Sequence, residues 1–162
     1  MKALILYRSY YGNTRQAAEA MAEQVRSMGH EAEARDLRQR LPDLTATDAV
    51  IVGAPTRMGK VSGRARKTLS RLKKKSIGKG LVAVFDTCGI LPKTPEEIEK
   101  FRQFFEPGAA GILMARAREL GLNVYPETVR CEVAGMKGPL AEGMILKARS
   151  FASDIVYFVG KR

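Results

Sequence analysis

The sequence predicts an α/β fold in which a five-stranded parallel sheet, strand order 2-1-3-4-5, lies between two layers of helices. Three observations carry this expectation. Strand-length apolar runs alternate with helical patterns along the whole chain, as a parallel sheet with helical crossovers requires. The first, third and fourth runs are continuously apolar, as in strands covered on both faces. The second run mixes polar with apolar residues and suits an edge. Right-handed crossovers leave few windings for five strands, and 2-1-3-4-5 puts the second strand at an edge.

Each element follows from its own pattern. Ala3–Tyr7 is the first strand. From Thr14 to Met28, Ala17, Ala18, Met21, Ala22, Val25 and Met28 recur at helical spacing, and Gly29 marks the stop. Glu31–Leu37 is the second strand and Ala49–Val52 the third, ending at Gly53. A helix over Val61–Lys73 has Val61, Ala65, Leu69 and Leu72 on its inner stripe. Leu81–Phe85 is the fourth strand. Pro95–Phe105 reads as a helix turning Ile98, Phe101, Phe104 and Phe105 inward, and Ala109–Leu120 as another, closed by Gly121. The segment Asn123–Val133 contains the fifth strand, and Glu142–Val159 is the last helix.

A length of 162 residues suits one domain with a real core, so residues 1–162 are expected to form a single domain. An apolar content of 45% and a charged content of 28% are those of a globular protein. No apolar run approaches the roughly twenty residues that span a bilayer. Ala3–Tyr7 is too short for a signal-peptide core, so the expectation is a chain that starts at or near Met1 and works in the cytoplasm. Cys88 and Cys131 have no CxxC spacing and only His30 beside them in the inventory, too few soft ligands for a structural zinc. Both are expected to be free thiols.

The net charge of +11 is unevenly placed: Arg57 to Lys79 contains ten basic residues and no acidic one. Two readings stand side by side. One is a solvated helix face; the other is a docking surface for something acidic, whether partner protein, nucleic acid or phosphorylated substrate.

In open α/β sheets, ligands bind beyond the carboxyl ends of the strands, where the winding reverses. That point lies between the first and third strands. The loop after the first strand is Ser9-Tyr10-Tyr11-Gly12-Asn13-Thr14, and it runs into a helix. Its backbone N–H groups can converge on an anion with the helix amino terminus behind them. Ser9, Thr14 and Asn13 add neutral donors, and Gly12 permits a positive φ. GxxxxGK[ST] and GxGxxG are both absent, which argues against nucleoside triphosphates and dinucleotides. The loop suits one terminal phosphate monoester.

The stretch Ile5-Leu6-Tyr7-Arg8-Ser9-Tyr10-Tyr11-Gly12-Asn13-Thr14, with Ala18 four residues on, resembles the flavodoxin signature. In that family this loop wraps the phosphate of FMN. Gly53-Ala54-Pro55-Thr56-Arg57-Met58-Gly59 is similar to the second loop of flavodoxin-like quinone reductases, which borders the isoalloxazine ring. The resemblance implies a third contact at Thr87-Cys88-Gly89, in a loop continuing through Ile90, Leu91 and Pro92 after the fourth strand. The fold resemblance covers the whole chain; the specific motifs cover about its first sixty residues.

This chain departs from the family pattern in lacking Trp, with Met58 and Ile90 or Leu91 where aromatics usually stack on the flavin. It also has Met21 where the signature carries Leu, Ile or Val, and it is basic where flavodoxins are acidic. The resemblance implies electron transfer through FMN to a redox partner protein with an acidic docking face. An FMN-dependent oxidoreductase, quinone-reductase-like or protoporphyrinogen-oxidase-like, is the alternative. A non-redox binding module with a basic docking helix, for nucleic acid, is the further one. His30, lacking an orienting partner, reads as a surface residue, and Cys88, lacking an activating base, as an inert thiol. Asp36, Asp48 and Asp86 do not make a receiver-type acidic pocket, since Arg8 and Ser9 occupy the positions of its paired acids.

Overall fold

The apolar run that opens the chain forms β1 (Lys2–Tyr7), and its alternation decides what each face of the sheet buries. The computed structural model describes residues 1–75 and 80–162. After β1 come α1 (Asn13–Ser27), β2 (Glu31–Asp36), β3 (Ala49–Pro55), α2 (Gly63–Lys74) and β4 (Leu81–Gly89). The chain continues through α3 (Pro95–Phe105), α4 (Gly108–Glu119), β5 (Val124–Val133) and α5 (Met144–Gly160). The sheet order is β2-β1-β3-β4-β5, with every pairing parallel, as the sequence predicts.

Side chains of a strand point alternately to its two faces. Ala3, Ile5 and Tyr7 of β1 therefore pack with α1 (Ala17, Met21, Val25) and α5 (Phe151, Ile155). Leu4 and Leu6 face the other way, against α2 (Leu69, Leu72) and α4 (Leu113, Ala117). Each such leucine, wholly buried, contributes about 1.5–3 kcal/mol relative to exposure. The result is a three-layer sandwich with a core on each face of the sheet. β2, with Glu31 and Glu33 exposed, is the predicted edge.

Two expectations need correction. The third and fourth strands run further than their apolar stretches: β3 reaches Pro55 and β4 reaches Gly89, paired through Pro55↔Thr87. Asp86 and Thr87 are polar yet buried, so hydropathy hides the end of β4. Thr87, Cys88 and Gly89 are accordingly strand residues, not a loop. Second, α3 buries none of its residues fully: Ile98, Phe104 and Phe105 are half-buried and Phe101 is exposed. Its amphipathic stripe lies on the rim of the molecule instead of a core face. Lys79, the end of the basic stretch, lies outside the described residues.

Gly53 of β3 stands opposite Phe85 of β4. A Cβ at Gly53 would fall within the Phe85 ring, so only glycine admits the ring there.

Candidate functional site

The carboxyl ends of β1, β3, β4 and β5 open into one pocket of about 460 Å³. Each wall is built by local chemistry. After β1 the chain is pinned by Arg8 N–H donating to the Gly53 carbonyl at 3.0 Å. It then turns on Ser9, whose Oγ accepts from the Gly12 N–H at 3.1 Å. Gly12, at φ 95°, occupies the N-cap of α1, and no side chain caps that helix. Its first turn contains no acidic residue either. Among the described residues no side chain therefore compensates the free N–H groups and positive end of α1, which is the arrangement an anion completes.

Thr14, buried in that first turn, places Oγ1 2.7 Å from Oγ1 of Thr87 at the end of β4. Asn13 donates from Nδ2 to the carbonyl of Lys137, 3.1 Å away in the loop after β5. The phosphate-type loop is thus tied to two other walls by side-chain bonds.

The second wall is a tight turn. Arg57 and Lys60 exchange two backbone hydrogen bonds of 3.0 Å, with Met58 at φ 52° and Gly59 at φ 74° between them. Positive φ at both central residues is the type I′ geometry. Met58 is the one non-glycine residue with positive φ among the described residues, and it is 68% exposed. Gly59 is buried, and a Cβ there would meet the carbonyl oxygen of Gln103 at the end of α3. The guanidinium of Arg57 lies 4.5 Å from the ring centroid of Tyr10, and that of Arg8 lies 4.3 Å from it. These cation–π contacts join the first and second loops.

Behind the second loop lies a buried polar cluster. Asp86, fully buried, accepts from Arg130 Nε at 3.0 Å and from the Thr56 hydroxyl at 2.7 Å. Burial pushes the Arg130 guanidinium towards losing its proton, but the hydrogen bond and charge of Asp86 outweigh that and raise its pKa.

Of the residues the sequence singles out, Ser9, Tyr10, Tyr11, Asn13, Thr14, Pro55, Thr56, Arg57, Met58, Thr87, Cys88 and Gly89 all line the pocket. Gly12 and Gly59 do not line it; they shape the turns that bring the others there. Ile90 joins the lining, whereas Leu91 does not. Sequence reasoning missed the wall at the end of β5 and just beyond it: Val133, Ala134, Gly135 and Met136. Its signal is positional, since every parallel strand ends at the same face. Around the mouth, Tyr11, Met58, Ile90 and Met136 leave an apolar, solvent-facing rim.

Other candidates lie apart or are inert. His30 Nδ1 sits 3.1 Å from the amino group of Met1, at the amino ends of the strands. Asp48 accepts from Lys2 N–H at the same end, and Asp36 is paired with Arg38. Cys88 borders the pocket, but burial, reinforced by the charge of Asp86, pushes its thiol up to about 12. Cys131, also buried and free, is pushed up to about 12 by burial. Among the described residues no cluster of His, Cys, Asp or Glu could hold a metal ion, and no helix is long and apolar enough to cross a membrane.

Known proteins of this shape include an archaeal flavodoxin, 23% identical, with a TM-score of 0.76 over 99% of both chains. Flavodoxin 1 from Bacillus cereus is 20% identical, with a TM-score of 0.72 over 97% of this chain and 98% of its own. Among curated sequences, an NAD(P)H dehydrogenase (quinone) of Gluconacetobacter diazotrophicus is 34% identical over 84 residues, covering 39% of this chain and 42% of that protein. Its counterpart from Syntrophobacter fumaroxidans is 36% identical over 95 residues, covering 43% and 47%. The match therefore spans less than half the length of either curated relative. The flavodoxin-domain family model matches residues 4–114, which run from within β1 into α4 and include both loops that resemble the family signature. This chain belongs to the flavodoxin-domain family.

Proposed function

We propose that this chain holds FMN in the pocket at the carboxyl ends of its strands and transfers electrons through it to a partner protein. The flavodoxin family is FMN-binding. The observation that carries the assignment to this pocket is the uncapped, acid-free amino terminus of α1, with Ser9, Asn13 and Thr14 beside it. Those residues would hold the phosphate. Pro55, Met58, Ile90 and Met136, with Tyr10 and Tyr11, would border the ring, and a volume of about 460 Å³ is in the range of cofactor sites. When bound, FMN supplies a ring system that takes up and releases electrons. The chain's own part is to bind, orient and shield it. The buried thiol of Cys88, protonated at neutral pH, adds no charge to that wall.

The partner's docking face is acidic on this reading. Arg64, Arg66, Lys67, Arg71, Lys73 and Lys74 of α2 are exposed, and among the described residues none of them joins an ion pair. Arg64 and Arg66 lie in the first turn, where positive charge works against the helix dipole, so helix stability does not account for them. Because α2 follows the Arg57–Lys60 turn within three residues, Arg64 and Arg66 in its first turn are the charges of the helix nearest the pocket mouth. We read residues 1–162 as one such domain, and the two free thiols suit a reducing, cytoplasmic compartment.

A second reading is an FMN-dependent quinone oxidoreductase, favoured by the likeness to two quinone dehydrogenases and by the Pro55–Gly59 motif. One experiment tests both. FMN is titrated into the apoprotein by flavin fluorescence, and the complex is then offered NADH or NADPH with a quinone. Uptake of FMN with negligible turnover supports the carrier; rapid turnover supports the enzyme. Failure to take up FMN overturns both.

A further inference from the structure

The hydroxyl of Thr56 lies where it could be taken for a ligand contact, yet its bonding capacity is already used inside the protein. It donates to Asp86 Oδ2 at 2.7 Å and accepts from the Ala109 N–H at 2.7 Å, with Arg130 Nη2 at 3.4 Å. Asp86 is also bound by the Ala110 N–H at 3.2 Å and by Arg130 Nε. Four elements therefore meet where the half-buried Thr56 hydroxyl bonds the buried Asp86 carboxylate: the end of β3, β4, the first turn of α4, and β5. The cluster also excludes any side chain at Gly108, whose Cβ would collide with the Arg130 guanidinium. A buried ion pair gives little net stability compared with an apolar alternative of the same volume. Its directional bonds can instead fix an orientation, and the residue fixed here is the one immediately before the Arg57–Lys60 turn.

We propose that Thr56 is a positioning residue: the Asp86–Arg130 pair and the amino terminus of α4 clamp its hydroxyl, and the clamp sets the turn that carries Arg57 and Met58 over the pocket. Thr56 touches no ligand through its hydroxyl. Only the ligand-affinity part of this inference rests on the reading of the pocket as an FMN site.

The test compares Thr56→Val, which removes the hydroxyl at nearly constant shape, with Thr56→Ser, which keeps it. The first measurement is amide hydrogen exchange in the apoprotein. Thr56→Val is expected to speed exchange at Arg57 and Lys60 by about ten-fold or more, the scale of one lost buried hydrogen bond. Thr56→Ser is expected to stay near wild type. The second measurement is affinity for FMN and riboflavin, which Thr56→Val should weaken several-fold and to the same degree, because the turn lies at the ring end. Wild-type exchange at Arg57 and Lys60 in Thr56→Val overturns the proposal, and so does a loss of affinity without a change in exchange. If Thr56→Val does not fold, Arg130→Lys, which keeps the charge but not the guanidinium's second branch, must show the same faster exchange or the proposal falls. If the wild-type chain takes up no FMN, the cofactor reading fails, and the exchange measurement still decides this one.

Discussion

Thr14 and Thr87, seventy-three residues apart, share one short hydrogen bond between their hydroxyls, 2.7 Å long and buried at the floor of the pocket. Two hydroxyls carry two protons, and the bond between them uses one. The pair therefore has one O–H left to donate, and which residue donates it can switch.

It follows that the two threonines should act on a phosphate as a unit. A hydrogen bond to a charged group is worth about 1.5–3 kcal/mol, roughly a 10- to 100-fold change in affinity. Either single variant keeps one hydroxyl with its own O–H, so Thr14→Ala and Thr87→Ala are each expected to weaken FMN binding by about a few-fold at most, and the double variant by the full roughly 10- to 100-fold. Riboflavin, lacking the phosphate, should lose at most a few-fold. Flavin fluorescence titration of the three variants measures this, and fully additive losses would refute the shared proton.

The contact between Gly53 and Phe85 makes a sharper demand on stability. Gly53→Ala forces a Cβ into the ring and should cost about 1–3 kcal/mol, the usual range for overpacking. Phe85→Leu in the same chain should recover part of that loss, although Phe85→Leu alone is destabilising. A urea-denaturation double-mutant cycle with no coupling between the two sites would contradict the packing described.

Met58 holds a backbone conformation that suits glycine or asparagine. The left-handed region costs an ordinary L-residue about 1–2 kcal/mol. Met58→Asn should therefore raise the unfolding free energy by about 0.5–1 kcal/mol. It should also weaken flavin binding, because an exposed thioether at the mouth is replaced by an amide. Stability and affinity moving in opposite directions is the expected signature; a destabilised Met58→Asn would show that the side chain supports the fold.

How much of this could be read from residues alone varies along the chain. The sheet order was legible because continuous apolar runs at β1, β3 and β4 and a mixed run at β2 leave few windings. The Ser9–Thr14 loop was legible because its donors are adjacent in sequence. The end of β4 was not, since Asp86 is polar and its burial depends on Arg130, forty-four residues away. The partners of the Thr56 hydroxyl were hidden for the same reason: Asp86, Ala109 and Arg130 are all distant in sequence. The inward stripe assigned to α3 failed because periodicity reveals an apolar face but not what covers it.

The two thiols predict an alkaline loss of stability. Each folded pKa is raised to about 12, so each thiol keeps its proton in the native state after the unfolded chain has released it. Their contribution is full below the unfolded value near 8.5 and declines as pH rises towards 12, by up to about 1.4 kcal/mol per pH unit for each thiol. Urea unfolding between pH 7 and 10.5 should show this decline, and Cys88→Ala with Cys131→Ala should flatten it. Equal slopes in the two proteins would contradict the assigned burial. In the native protein at pH 8, a thiol reagent should find neither cysteine until urea is added.

Arg57 brings the basic stretch to the pocket itself: it lines the mouth, and its guanidinium packs on Tyr10 beside that of Arg8. Adding an electron to a bound flavin adds negative charge, which a nearby cation favours. A unit charge about 10 Å away at an effective dielectric near 20 is worth about 1.7 kcal/mol. For one electron that corresponds to roughly 70 mV, and exposure and salt reduce it to a fraction. Arg57→Gln should therefore lower the midpoint potential of the bound flavin by about 10–40 mV at low ionic strength, and by less at high salt. Arg8→Gln should act in the same direction, because both guanidinium groups bracket the same ring. Spectroelectrochemical titration at two salt concentrations reads both effects. A potential that rises in Arg57→Gln, or a shift that salt leaves untouched, would mean that this charge does not act on the flavin through the pocket mouth.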